Sequence, residues 1–177
     1  MIEFVKGNIL ESHCFAAVNP VNCVGVMGAG LAKQFKERYP EMFKEYKKRC
    51  DNMEMKVGRN YFWMNPKALQ SHIRCTDYGE FANIICFPTK YHWKDDSKIE
   101  WIKAGLLDLF NYVKVNYGHG CSIAIPKIGC GLGNLDWERD VKPEIFRILG
   151  KLEHIDIKVY ESYRSKRNGR IWHVDKN

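Results

Sequence analysis

The sequence predicts an α/β domain in which one sheet is covered by helices on both faces. Three observations carry that expectation. Strand-like and helix-like stretches alternate along the chain, the run "CSIAIP" is apolar throughout as a doubly buried strand is, and two glycine-rich loops each stand between a strand and a helix. At 177 residues, 45% of them hydrophobic and 13% aromatic, the chain falls in the size range of one compact domain whose core needs no covalent staple.

Taken in order, "IEFVKG" (residues 2–7) reads as a short strand, and "AAVNPVN" (16–22) as a second that ends in a turn, because Pro20 suits only an edge or a strand end. "GLAKQFKERYPEMFKEYKKRC" (30–50) is helical, with Leu31, Phe35, Phe43 and Tyr46 at helical spacing and a break or kink near Pro40. "NYFWM" (60–64) and "NIICFPT" (83–89) read as strands, and the residues between them are ambiguous. The clearest helix is "SKIEWIKAGLLDLFNYVKVNYG" (97–118), where Ile99, Ile102, Leu106, Leu109 and Val113 share a face and Gly118 marks the end. After "CSIAIP" (121–126) come a helix in "DWERDVKPEIFRIL" (136–149) that Asp136 caps, and a last strand in "DIKVYES" (156–162).

Composition narrows the function classes. No stretch approaches the roughly 18 apolar residues of a membrane helix, and "MIEFVKGNIL" sets Glu3 and Lys6 where a signal peptide keeps its apolar segment, so a soluble cytoplasmic protein is expected. Seven cysteines (14, 23, 50, 75, 86, 121, 130) make an odd set without CxxC or zinc-type spacing. They read as reduced core thiols, and neither a metal site nor a disulfide framework is expected. Cys23 and Cys130 adjoin the glycine loops without a histidine nearby in sequence, which argues against nucleophilic thiols. His13, His72, His119, His154 and His173 show no pairing by spacing and read as surface or packing residues.

A net charge of +7 and a pI near 9.0 fit an anionic partner. The excess concentrates in "FKERYPEMFKEYKKRC", whose mixed signs also suit a solvated helix face, and in the tail "YRSKRNGRIWHVDKN".

The two loops are Gly25-Val26-Met27-Gly28-Ala29-Gly30 and Gly129-Cys130-Gly131-Leu132-Gly133-Asn134. Helix N-termini carry unpaired amides and partial positive charge, and glycine admits a ligand close enough to use both. Two such loops at one sheet edge would grip a diphosphate from both sides; the competing reading of either alone is a plain turn. A P-loop is excluded, because Leu31 and Ala32 stand where GxxxxGK[ST] requires Lys and Ser/Thr. A GxGxxG fingerprint starting at Gly28 meets Lys33 at its third glycine and does not follow the first strand.

"VKGNIL", "AVNPVNCVGVMGAGLAKQFKERYP" and "IPKIGCGLGNLDW" together resemble the macrodomain family, whose members bind ADP-ribose, over about residues 2–160. With "FPTKYHW", the chain looks most like the antitoxin-type DNA ADP-ribosyl glycohydrolases, a lysine-dependent branch that reverses ADP-ribosylation of DNA. The resemblance implies a three-layer α/β/α macrodomain with a central mixed β-sheet, spanning residues 1–163, with 164–177 as a basic tail or a further part of the same domain. It places Asn8 and Ile9 beside the adenine, where an asparagine carbonyl accepts from the amino group that an aspartate meets in many macrodomains. It puts Asn22 at the distal ribose, with Asn19 either there or satisfying the turn at Pro20, the reading favoured for Asn19. By the same resemblance Gly25, Val26, Met27, Gly28, Ala29 and Gly30 wrap the distal ribose and its phosphate, and Ile128, Gly129, Cys130, Gly131, Leu132, Gly133 and Asn134 close over the diphosphate.

Catalysis is implied for Lys90, at the edge of the distal ribose. A neutral amine there can attack the anomeric carbon and form a Schiff base with the opened sugar, whereas the plainer reading is a surface lysine lying over Tyr91 or Trp93. Relatives acting on protein-linked ADP-ribose carry an aspartate after "GCGL", and this chain has Gly133, which puts protein esters in doubt. Asp136 is nearby, but its position suits a helix cap better than a catalytic acid.

Lys90, Tyr91, His92, Trp93 and Lys94 interleave charge with aromatics, a composition that stacks unpaired bases and neutralises phosphate or, for His92 and Trp93, simply packs on the next helix. Arg164, Lys166, Arg167 and Arg170 extend a track for a nucleic-acid backbone. The expected partners are ADP-ribose and single-stranded ADP-ribosylated DNA, acted on by a monomer without cofactor or membrane. The alternatives are a non-catalytic ADP-ribose reader, an ADP-ribose 1″-phosphate phosphatase and a plain nucleic-acid-binding module.

Overall fold

The computed structural model describes residues 1–70, 80–162, 165–167 and 170–172. Its strands are the apolar runs: β1 (Ile2–Lys6), β2 (Ala16–Val21), β3 (Tyr61–Met64), β4 (Asn83–Pro88), β5 (Ser122–Pro126) and β6 (Asp156–Ser162). Among the described residues they form a six-stranded mixed sheet in the order β1-β6-β5-β2-β4-β3. Every pairing is parallel except that of β3 with β4. Helices α1 (Gly30–Arg38), α2 (Pro40–Asp51), α4 (Ile99–Asn116) and α5 (Lys142–Leu149) cover it, with a short α3 (Pro66–Gln70) after β3.

Alternation along the strands sorts side chains into two cores. Val18, Ile85, Phe87, Ile123 and Ile125 pack with Ile102, Leu106 and Leu109 of α4 and Ile145 and Ile148 of α5. Ala17, Val21, Ile84, Cys86 and Ala124 pack with Phe35 of α1 and Met42 and Tyr46 of α2. All six β4 residues are buried, because both of its faces are covered. Helix α4 lies so close to β4 that a Cβ at Gly105 would stand 2.4 Å from the Phe87 ring. The result is the expected three-layer α/β/α arrangement.

The departures have local causes. The break expected near Pro40 within 30–50 is complete and separates two helices, because Pro40 starts α2 and biases Tyr39 before it away from helical backbone. The helix expected over 136–149 begins as one wide turn, Trp137–Val141, since Pro143 has no N–H to give the Arg139 carbonyl. Asp136 caps that turn, its Oδ1 accepting from the Arg139 amide at 2.7 Å. Pro20 fits the central strand β2 because β5 pairs only with Ala16 and Ala17, leaving Pro20 beyond that ladder. Nor is β6 the last strand: β7 (Ser165–Arg167) and β8 (Arg170–Trp172) pair antiparallel in the stretch read as a tail or a further part of the domain. The sequence signal for that hairpin is Asn168-Gly169 between the two strands. His119 and His154, unpaired by spacing, have ring centroids 4.0 Å apart. The residues Cys75, His72, Arg164 and His173 lie outside those described.

Candidate functional site

Strand β2 lies between β5 and β4 and runs parallel to both, so the loops leaving the carboxyl ends of the three gather at one edge of the sheet. In open α/β sheets that edge is where ligands bind. The loop after β2 (residues 22–29) is the first glycine loop, the loop after β5 (127–135) is the second, and the loop after β4 (89–98) carries Lys90. The two glycine loops therefore share one edge, as a double grip requires.

The first loop is propped from beneath. Asn22 Oδ1 accepts from the amides of Val24 (3.0 Å) and Val26 (3.3 Å), and its Nδ2 donates to the Val26 carbonyl at 2.6 Å. The buried Tyr46 hydroxyl donates to the Asn22 carbonyl at 2.8 Å and lies 3.1 Å from its Oδ1. Gly25 turns the chain at φ +78°, a conformation that disfavours any side chain. The amides of Met27, Gly28 and Ala29 make no hydrogen bond among the described residues. They run into α1, whose N-terminus has no side-chain cap and no acid in its first turn, so its positive end faces the cleft unneutralised.

The second loop is closed by its own backbone, the Leu135 amide donating to the Gly129 carbonyl and the Asn134 amide to that of Gly131. Gly129 has φ +74°, and Asn134 has φ +62°. The amides of Gly129, Gly131, Leu132 and Gly133 make no hydrogen bond among the described residues. This loop leads into a helical turn whose N-terminus is closed rather than open, because Asp136 caps it as expected. Gly133 has no room for a side chain: a Cβ would lie 2.3 Å from Ser97 Oγ and 2.4 Å from the Gly129 carbonyl. An aspartate there is sterically excluded.

The third loop ties the other two together. The Thr89 amide donates to the Val21 carbonyl, the Cys23 amide to that of Tyr91 and the Ser97 amide to that of Gly133. Asn134 Nδ2 donates to Asp96 Oδ1 at 2.6 Å. Lys90 is 7% exposed, so it is no surface lysine, and its Nζ donates at 2.5 Å both to the Asp95 carbonyl and to the Leu132 carbonyl. Burial lowers its pKa below the ordinary lysine value, against the opposing pull of the Asp96 and Asp95 carboxylates. A neutral amine that gives both hydrogens to carbonyls keeps its lone pair for an electrophile.

Other predicted residues are placed as follows. The turn was expected to use Asn19, but Asn22 braces it; Asn19 lies fully buried beneath, with Nδ2 3.8 Å from Met27 Sδ and Oδ1 unpartnered among the described residues. Asn8 Oδ1 accepts from the Leu10 amide and its Nδ2 donates to Glu11 Oε1, so the side chain caps the turn at Ile9–Glu11. Ile9, Met27 and Ile128 are buried and offer a ligand backbone, whereas Val26 and Leu132 are exposed on their loops. Burial pushes the Cys23 and Cys130 thiols up to about 12, which keeps them protonated. No three His, Cys, Asp or Glu side chains cluster for a metal among the described residues. A separate hollow of about 390 Å³, lined by Arg49, Arg59, Tyr61 and Tyr112 among others, shares no residue with the three loops. Sequence patterns missed Tyr46, Asp96 and Ser97; the one available signal was a tyrosine on the buried stripe of α2, whose hydroxyl needs a partner.

The sequence profile of the Macro domain family matches residues 18–142. The DNA ADP-ribosyl glycohydrolase of Mycobacterium tuberculosis (strain H37Rv) is 40% identical over 164 residues, covering 90% of this chain and 42% of that protein. The chain thus spans about two fifths of the length of the curated relatives it matches. The structure of the macrodomain of Mycobacterium tuberculosis DarG superposes with a TM-score of 0.80 at 39% identity, over 90% of this chain and 97% of that one. That of Thermosipho africanus DarTG in complex with ADP-ribose does so with a TM-score of 0.74 at 31% identity, over 89% and 41%.

Proposed function

The chain belongs to the Macro domain family, and on that premise we propose that it removes ADP-ribose from DNA bases by hydrolysis, with Lys90 acting at the distal ribose. The observation that carries the reading is the Lys90 amine, held by two carbonyls between two amide-lined loops and shielded enough to lower its pKa. The open end of α1 and the free amides of the first loop suit the diphosphate, and the amides of Gly131, Leu132 and Gly133 close on it from the other side. A relative of similar fold is solved with ADP-ribose, and relatives of similar sequence are named for release of ADP-ribose from DNA.

In the step we envisage, the Nζ lone pair forms a bond to C1″ as the bond from C1″ to the DNA base breaks. The electron pair leaves on the base, which takes up the proton released by the amine. The sugar ring opens to an imine, water adds to C1″, and the C–N bond breaks to give ADP-ribose and the free amine. Asn22 and Tyr46 hold the first loop in shape, and Asn8 and Ile9 stand on the adenine side. No cofactor enters this scheme. The reading takes the protein as a cytoplasmic monomer; no helix among the described residues is long and apolar enough to cross a membrane.

The test is Lys90→Ala and Lys90→Arg against an oligonucleotide carrying ADP-ribosylated thymidine or guanine. Both are expected to lower turnover on the order of 10²-fold or more, the scale on which a positioned acid, base or nucleophile acts. Undiminished turnover in either variant removes the lysine from the mechanism. A wild-type protein that binds ADP-ribose without releasing it from DNA is a reader, and one that cleaves only ADP-ribose 1″-phosphate is a phosphatase.

A further inference from the structure

We propose that Asp95 is the positioning residue of the Lys90 amine: its side chain closes the turn after β4, and that closure aims its own carbonyl at Nζ. The inference deepens the reading above and rests on it for the reaction; the turn and its grip on the amine rest on geometry.

A lysine amine rides on a flexible four-carbon stem, so a single reactive position has to be imposed on it. Two carbonyls hold Lys90 Nζ at 2.5 Å, those of Asp95 and Leu132. They are not equivalent. Leu132 is 75% exposed in the second glycine loop, among amides that make no hydrogen bond within the described residues, so its carbonyl travels with a loop that a ligand would engage. Asp95 belongs to the loop of Lys90 itself, where residues 92 and 95 are joined twice. The Asp95 amide donates to the His92 carbonyl at 3.0 Å, and Asp95 Oδ2 accepts from the His92 amide at 3.0 Å. His92 Nδ1 accepts in turn from the Lys94 amide at 3.3 Å, so the two side chains answer each other across the turn as in a capping box. Both ends of the turn are tied down. The Tyr91 carbonyl accepts from the Cys23 amide at 2.8 Å, and the Ser97 amide donates to the Gly133 carbonyl at 2.9 Å. A carbonyl in a turn so closed has one direction, and that of Asp95 is toward Lys90.

The same residue acts on the charge of the amine. Burial lowers the Lys90 pKa, and the Asp96 and Asp95 carboxylates oppose it. Asp96 is engaged by Asn134 Nδ2 at 2.6 Å. The other lysines of the three loops face rings instead, Lys94 that of Trp93, Lys98 that of Trp101 and Lys127 that of Trp137. Aspartate at this position therefore has two separable effects, on where the amine is and on how readily it gives up its proton. Asparagine keeps an oxygen for the His92 amide and loses the charge, whereas alanine loses both.

The experiment compares wild type, Asp95→Asn and Asp95→Ala in three measurements: the pH dependence of ADP-ribose release from a modified oligonucleotide, calorimetry with ADP-ribose, and the proton–carbon spectrum of protein isotope-labelled at lysine Cε. Lys90→Arg assigns the Lys90 signal. Turnover that needs the neutral amine rises with pH to a plateau, so the position of the limb reads charge and the height of the plateau reads geometry. Asp95→Ala should lower the plateau about tenfold or more, in kcat rather than KM, and move the limb to lower pH. Asp95→Asn should recover most of that plateau with the limb still at lower pH. ADP-ribose should bind all three within about twofold, and their melting temperatures should agree within about 3 °C. The two ε-hydrogens of a lysine held in one geometry have separate shifts, which should persist in Asp95→Asn and merge in Asp95→Ala. An alanine variant with the wild-type plateau, or with its ε shifts still separate, overturns the proposal. Equal loss of plateau in both variants overturns it too, as does a loss of ADP-ribose affinity parallel to that of turnover, which marks a merely structural role. Shifts that merge in Asp95→Ala alone, in a protein without glycohydrolase activity, keep the positioning and remove the proposed reaction.

Discussion

The two glycine loops look alike in sequence and are built differently. The first stands on a post: Asn22 fills its interior, Tyr46 supports Asn22 from α2, and the loop delivers the open N-terminus of α1. The second has no post. Its backbone bonds to itself, its helix end is closed by Asp136, and its outer strand hangs on the Lys90 loop through the Leu132 carbonyl, the Gly133 carbonyl and Asn134. Fixed positive charge belongs to the first loop, and coupling to the reactive amine belongs to the second. A perturbation of the second loop should therefore reach the Lys90 amine directly, whereas one of the first reaches its loop only through the backbone bond from the Cys23 amide to the Tyr91 carbonyl.

Gly133→Ala gives the largest expected effect. Its methyl group meets Ser97 Oγ and the Gly129 carbonyl, and overpacking against backbone costs about 1–3 kcal/mol. It should lower the melting temperature, weaken ADP-ribose binding and reduce turnover further, because the Leu132 carbonyl moves off Lys90. Gly131→Ala, one turn of the same loop away with nothing within 4 Å of its Cβ position, should stay within about 0.5 kcal/mol of wild type in the same melts. Equal effects from the two would dissolve the distinction between a pinned and a free stretch of that loop.

Tyr46→Phe comes next. It leaves the Asn22 carbonyl without its hydroxyl donor in a buried setting, a loss of about 1–3 kcal/mol in denaturant melts. Affinity for ADP-ribose should fall with it while the pH dependence of turnover holds its position. A shifted pH profile in this variant would show that the loops are not separately supported.

Asp96→Asn gives the smallest effect and the sharpest one. Turnover that needs a neutral Lys90 rises with pH through the pKa of that group and levels above it. The Asp96 carboxylate holds the pKa up, so removing its charge moves the rising limb to lower pH and raises the rate at neutral pH. The asparagine oxygen still accepts from Asn134, which keeps the loop in place. A limb displaced to higher pH, or none at all, would detach Lys90 from the rate.

Much of this was legible in the letters. Two glycine runs, each after a strand, marked the grip, and the apolar periodicities gave the layers, because φ-tolerance and burial are properties of residues read singly or at short spacing. Pro40 and Pro143 were visible as well, yet their outcomes differed: one separated two helices and the other turned the start of a helix into a wide turn. A missing N–H is certain from sequence, but how the chain accommodates it depends on what packs there. Asn19 and Asn22 were harder still. Both flank the same proline, and only the position of Tyr46, on a helix 24 residues along, decides which of them braces the turn.

The sequence by itself determined the sheet with helices on both faces, the amide-rich turns and the presence of one lysine among aromatics after a buried strand. The tertiary structure alone decided that this lysine is shielded, that its hydrogens go to carbonyls 5 and 42 residues away, and that Asp96 reaches Asn134 across 38. The reason is strand order. Periodicity tells each strand which side chains to bury, but it carries no instruction to set β5, β2 and β4 side by side, and only that adjacency brings three loops within hydrogen-bonding distance.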